Sequence, residues 1–155
     1  MAGQPLVAVL MGSTSDEETM SGCGQLLEQM GIAFEQHVIS AHRNPDRLRE
    51  YVLDATARGI EVFVAGAGGA AALPGVIASY TARPVIGVPL ASSALGGIDA
   101  LHAIAQMPPG VPVATMAVGS WGARNAAVFA AEILALKHSA VAKALDQFRE
   151  EQTSR

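Results

Sequence analysis

LVAVLMGSTSD, residues 6–16, decides the fold. Its first six residues are an unbroken apolar run, as a strand covered on both faces requires. Gly12, Ser13, Thr14, Ser15 and Asp16 then form a loop with several N-cap candidates, and residues 17–30 read as a helix closed by Gly31. The same unit recurs along the chain. Residues 32–39 read as a second strand, followed by SAHRNPD and a helix over 45–57, where Asn44 and Pro45 suit the cap and first-turn positions. After Gly59, IEVFVA at 60–65 is a third strand, and GAGGAAALPG at 66–75 leads to a short helix near 76–81.

Residues 84–88 supply a fourth strand, 89–105 a loop and short helix, and 111–118 a fifth strand. Residues 122–151 are helical, with a break at His138 and Ser139. Strand–helix alternation at this spacing implies right-handed crossovers and a mainly parallel sheet. The expected fold is a three-layer, doubly wound α/β domain of flavodoxin-like or Rossmann-like type. It is expected to span residues 1–155 as one domain with a C-terminal helical extension. That last helix has no strand after it, so a neighbouring subunit is a natural packing partner.

Half of the residues are hydrophobic, 15% are charged and 5% aromatic, with 16 glycines and alanine the commonest residue. Little charged surface is left, which points toward subunit interfaces. A net charge of −4 without a basic cluster argues against a nucleic-acid partner. The single cysteine, Cys23, excludes an intramolecular disulfide and a cysteine-based metal site, and reads as a small core residue. No long uncharged apolar stretch suggests a membrane span, and no basic region precedes the first apolar run as in a signal peptide. A cytoplasmic protein is expected.

In doubly wound sheets ligands sit at the carboxyl ends of the strands, so the loops after the first three strands carry the functional signal. The first offers hydroxyls and a helix N-terminus, which favour a phosphate, while Asp16 suits ribose hydroxyls. It is neither a GxGxxG nor a Walker pattern. The second, Ser40-Ala41-His42-Arg43, sets an imidazole that can move protons beside a guanidinium that can fork onto a phosphate. The third is nearly pure glycine and alanine, so backbone can approach a ligand closely. Taken singly, each has a plainer reading: an N-cap, a helix entry, a tight strand–helix connection. All three belong to one edge of one sheet.

GSTSD, SAHRNPD, GAGGAAALPG and PVIGVPL with SSALGG, in this order and spacing, resemble the N5-carboxyaminoimidazole ribonucleotide mutases of purine biosynthesis. The resemblance runs over residues 7–145 and extends to IAQMPPGVPVATMAVG and NAAVFAAEILA. It implies transfer of a carboxylate from the exocyclic nitrogen to C4 of an aminoimidazole ribonucleotide, with no metal and no organic cofactor. By motif, Ser13 and Arg43 would lie near the phosphate and Asp16 near the ribose, with Ser15, Ser40 and Ala41 completing the binding loops. His42 would be the proton shuttle, and Gly68, Gly69 and Ala70 would line the cavity around the migrating carboxylate. Family resemblance, alanine content and the strandless last helix together imply a homo-octamer. The pattern departs at Ala72, where the family's usual form is GAGGAAHLPG. Two readings stand beside the mutase: a carboxylase using free CO2, and a ribonucleotide-binding paralogue without turnover. His37, His102 and His138 are expected to be structural or solvated, and Trp121 to line either a pocket or a subunit contact.

Overall fold

The computed structural model describes residues 3–155. Met1 and Ala2, which belong to the expected domain and to the N-terminal reading, lie outside the described residues. Five strands, β1 (Val7–Met11), β2 (Phe34–Val38), β3 (Val62–Gly68), β4 (Val85–Leu90) and β5 (Ala114–Thr115), form one sheet in the order β2-β1-β3-β4-β5. Every pairing is parallel. The helices are α1 (Glu17–Gln29), α2 (Pro45–Arg58), α3 (Leu73–Tyr80), α4 (Ile98–Ala105), α5 (Ser120–Ala135) and α6 (Ser139–Thr153).

The alternation of side chains along a strand divides the core into two. Val7, Val9 and Met11 of β1 face α1, α5 and α6, where Met20, Cys23, Leu27 and Leu134 are buried. Ala8 and Leu10 face the other way, onto Leu48 and Val52 of α2, Ile77 of α3 and Ile104 of α4. Covered on both sides, β1 and β3 must be apolar throughout, which is why their sequences show no polar alternation. β2 is an edge strand and carries Glu35, Gln36 and His37 instead. Glu35 accepts from Arg58 Nη2 at 2.7 Å and from Tyr51 Oη at 2.5 Å. The Arg58 hydrogen bond is the main influence holding its carboxyl below the usual carboxylate range, against the opposing effect of burial.

Much of the alanine goes inside. Ala123, Ala126, Ala127, Ala130 and Ala131 make one fully buried stripe on α5, at the spacing of a single helix face. Small side chains let α5 lie close to α1 and the sheet, so this part of the composition reflects internal packing. The start of α5 is also tight against the segment that leads into it: a Cβ on Gly122 would stand 1.7 Å from the Ala117 carbonyl oxygen.

Several boundaries differ from expectation for local reasons. β5 has two residues rather than the eight of 111–118. Gly119 N–H donates to the Pro89 carbonyl at 2.8 Å, so Pro89 faces β5, where it has no N–H to offer. Pro112 likewise lacks a donor, and Val111 N–H is taken by a turn to Pro108 O at 3.2 Å. β3 runs on through Gly66 to Gly68, because pairing with β1 and β4 outweighs glycine's weak strand preference. α3 starts at Leu73 rather than near Val76, with Pro74 tolerated in its first turn. α2 begins at Pro45 as expected, but Asn44 makes no side-chain capping bond, and Gly59 closes the helix at φ 105°. The break before α6 is real: His138 Nε2 meets Glu61 Oε2 at 2.9 Å and Lys137 Nζ donates to Glu61 Oε1 at 2.6 Å.

Candidate active site

The loop after β1 tightens into a 3-10 turn, Thr14–Asp16, before α1. Ser13 caps it: its Oγ accepts from Ser15 N–H at 3.2 Å and lies 2.9 Å from Ser15 Oγ. Asp16 follows, buried at 9% exposure. Burial raises its carboxyl above the usual carboxylate range, and a backbone hydrogen bond from Ser13 pulls it part of the way back. A carboxylate stripped of water at a cavity wall is a strong acceptor for hydroxyl donors.

After β2, Ser40 shapes the second loop. Its Oγ accepts from Arg43 N–H at 3.1 Å and its carbonyl from Asn44 N–H at 2.9 Å. This turn leaves His42 and Arg43 exposed, and no ion pair among the described residues includes Arg43. The third loop is shorter than expected, since Gly66 to Gly68 belong to β3. Its turn is held by Ala71 N–H donating to Gly68 O at 3.0 Å. Gly69 (φ 61°) and Ala71 (φ 46°) both adopt left-handed backbone, which costs an alanine about 1 kcal/mol.

These loops enclose a cavity of about 400 Å³ at the carboxyl ends of the strands. Gly12, Ser13, Ser15 and Asp16 line it from the first loop; Ser40, His42 and Arg43 from the second. Gly68 closes it from β3 and Ser92 from the loop after β4. A neighbouring cavity of about 560 Å³ shares Ser15, Asp16 and Ser92 and extends past Ala91 toward Gly119 and Ser120. Three expected residues, Ala41, Gly69 and Ala70, are outside these linings, Ala41 packing instead against the α2-side core. Ala72 is half-buried at the start of α3 and is also outside them. Two residues of the cavity were missed. Gly12 reads in the sequence only as a loop glycine, and Ser92 lies in SSALGG, after a fourth strand whose loop carries no comparable signal. A third cavity, of about 530 Å³, lies at the other end of the sheet beside Val85, Phe129 and Ile133. Its wall is mostly aliphatic and holds none of the loop residues above.

Residues 6–155 match the family described as AIR carboxylase. The chain belongs to that family. It is 54% identical over 148 residues to the N5-carboxyaminoimidazole ribonucleotide mutase of Pseudomonas aeruginosa, covering 96% of this chain and 91% of that protein. With the Pyrococcus abyssi mutase the identity is 53% over 149 residues, 96% of this chain and 84% of that one. A bifunctional purine synthesis protein of Dictyostelium discoideum is 50% identical over 150 residues, but this chain spans only 15% of its length. Among solved structures, Treponema denticola PurE superposes with a TM-score of 0.87 at 26% identity, over 97% of this chain and 92% of that one. The family therefore carries the sheet order and C-terminal helices described above. None of the helices of the described residues is long and apolar enough to cross a membrane.

Proposed function

We propose that this chain is an N5-carboxyaminoimidazole ribonucleotide mutase, acting in the cytoplasm as one catalytic domain within a homo-octamer. The observation that carries the reading is the meeting of Ser13, Asp16, His42, Arg43 and Gly68 around one cavity. Relatives of that name at about half identity over nearly their whole length support the same chemistry. Exposed Leu95, Ile98, Trp121 and Leu136 support self-association.

The reaction needs little beyond these groups. Arg43 and the Ser13 loop hold the phosphate, and the buried Asp16 carboxylate accepts from the ribose hydroxyls. A carbamate sheltered from water releases CO2 readily. The N–C bond breaks as His42 in its protonated form gives a proton to the exocyclic nitrogen, leaving neutral aminoimidazole ribonucleotide and CO2. C4 of the ring then attacks the retained CO2, forming the new C–C bond. The C4 proton returns to His42, so no proton is gained or lost over the cycle. One group that can both give and take a proton is enough.

Supplying the N-carboxylated substrate, and separately aminoimidazole ribonucleotide with CO2, both without ATP, tests the proposal. Formation of 4-carboxy-5-aminoimidazole ribonucleotide from the first is expected. Consumption of the second alone would make the enzyme a carboxylase, the activity in the family's description, and binding without turnover would make it a non-catalytic paralogue.

Two substitutions probe the assignments. Arg43→Ala removes a charge-assisted bond to phosphate and should cost roughly 2 kcal/mol, about thirtyfold in Kd by calorimetry, with an unchanged circular dichroism spectrum. Unaltered affinity would remove Arg43 from the site. Ala72→His restores the residue that the family pattern carries at the start of α3. It should raise mutase turnover more than tenfold, about 1.4 kcal/mol of transition-state stabilisation. Equal rates for the two proteins would show that position 72 is not catalytic here.

A further inference from the structure

Ser92 lines both cavities, yet the mechanism leaves it without a role. It follows β4 by two residues, at the carboxyl edge of the sheet. Its Oγ is packed over the end of β3: a Cβ on Gly68 would lie 1.7 Å from it. The absent side chain at Gly68 is thus the space that the Ser92 hydroxyl occupies. The adjacent Ser93 is used within the fold, donating to Asp99 Oδ2 at 2.5 Å and accepting from Leu95 N–H at 3.1 Å. No hydrogen bond among the described residues uses Ser92 Oγ in this way. The pair divides its work: Ser93 fixes the loop and Ser92 faces the cavity.

Sheet order gives the direction in which a ligand lies. Along this edge the strands run β2, β1, β3, β4. Arg43 follows β2, Asp16 follows β1, Gly68 ends β3 and Ser92 follows β4. A ribonucleotide whose phosphate meets Arg43 and whose ribose meets Asp16 can lay its base along the wall that includes His42, Gly68 and Ser92, all of which line one cavity. On that side Gly68, Leu90 and Ala91 offer no side-chain donor, and of the hydroxyls there Ser92 lines both cavities whereas Thr19 and Ser120 line only the second. A carboxylate on the base requires one, because a buried anion without hydrogen bonds is costly.

Resting on the mutase reading, we infer that Ser92 is a further substrate-binding residue, donating a hydrogen bond to the carboxylate carried by the base. The bond holds the carboxylate of substrate and product and keeps CO2 over the ring between them.

The test compares two nucleotides that differ only by that carboxylate. Calorimetry on the full chain should show Ser92→Ala weakening 4-carboxy-5-aminoimidazole ribonucleotide about tenfold or more, with aminoimidazole ribonucleotide changed far less. In turnover, Ser92→Ala should divert N-carboxylated substrate to aminoimidazole ribonucleotide and free CO2, a leak the parent suppresses. Ser92→Thr, which keeps a hydroxyl, should restore the selectivity. Ser93→Ala disturbs the loop through Asp99 and controls for misplacement. Equal weakening of both nucleotides by Ser92→Ala, or the same selective loss in Ser93→Ala, overturns the inference while leaving an active parent's function intact. A parent that turns over neither substrate overturns the function, and this inference with it.

Discussion

Exchanging His42 for Asn should lower kcat by about 10²–10⁴-fold, the usual contribution of a general acid–base, while nucleotide affinity stays near that of the parent. Asn keeps a polar side chain of similar reach but cannot accept and return a proton near pH 7. His42 lies on the Ser40–Arg43 turn, which is fixed through Ser40 Oγ and the backbone, so the substitution disturbs neither the turn nor Arg43. Steady-state rates with the N-carboxylated substrate, beside calorimetric titration of the product, separate the two effects. A variant within about tenfold of the parent would take the proton shuttle away from His42 and require another group at the cavity wall.

The largest effect on stability is expected at Gly122, two residues past Ser120 at the margin of the second cavity. Replacing a helical glycine by alanine ordinarily gains about 1 kcal/mol. Here the new methyl would meet the Ala117 carbonyl oxygen at 1.7 Å and the Ala117 carbonyl carbon at 2.8 Å, so no rotamer change relieves it. Overpacking of this kind costs about 4 kcal/mol, above the common range, because backbone must move. The clash wins. Gly122→Ala should lose about 3 kcal/mol, and Tm should fall by roughly 6–12 °C for a domain of this size. A thermal midpoint equal to or above the parent's would show that α5 shifts freely relative to the segment before it.

Both residues illustrate what a sequence makes legible. Position 42 stands out only in company: a histidine beside an arginine reads by itself as a helix entry, and it is the other loops on the same sheet edge that make it a site candidate. Gly122 does not stand out at all, because a glycine's importance there depends on a carbonyl five residues away, whose distance is a tertiary fact. The central strands were legible for the same reason that they are buried, since two covered faces demand uninterrupted apolar side chains. β5 was overread because a run such as VPVATMAV has the composition of a strand, whereas its length depends on N–H groups that Pro89 and Pro112 lack. Ser92 escaped because SSALGG reads as an ordinary polar turn. Only the sheet order shows that the loop after the fourth strand borders the same cavity as the first three.

The two margins of the sheet have a consequence for how copies of this chain can meet. A long, bare strand at a sheet's rim invites another chain to extend the ladder, the first step of runaway aggregation. At one rim β5 presents a ladder only two residues long, Ala114–Thr115, too short a template for a new strand. At the other, β2 sets Glu35, Gln36 and His37 in a row, with Arg58 bonded across Glu35, so an incoming backbone would have to desolvate charge. Neither rim rewards strand addition. A homo-oligomer of the proposed kind would therefore have to form through helices and loops, where an apolar surface can close into a finite ring instead of growing as a fibre.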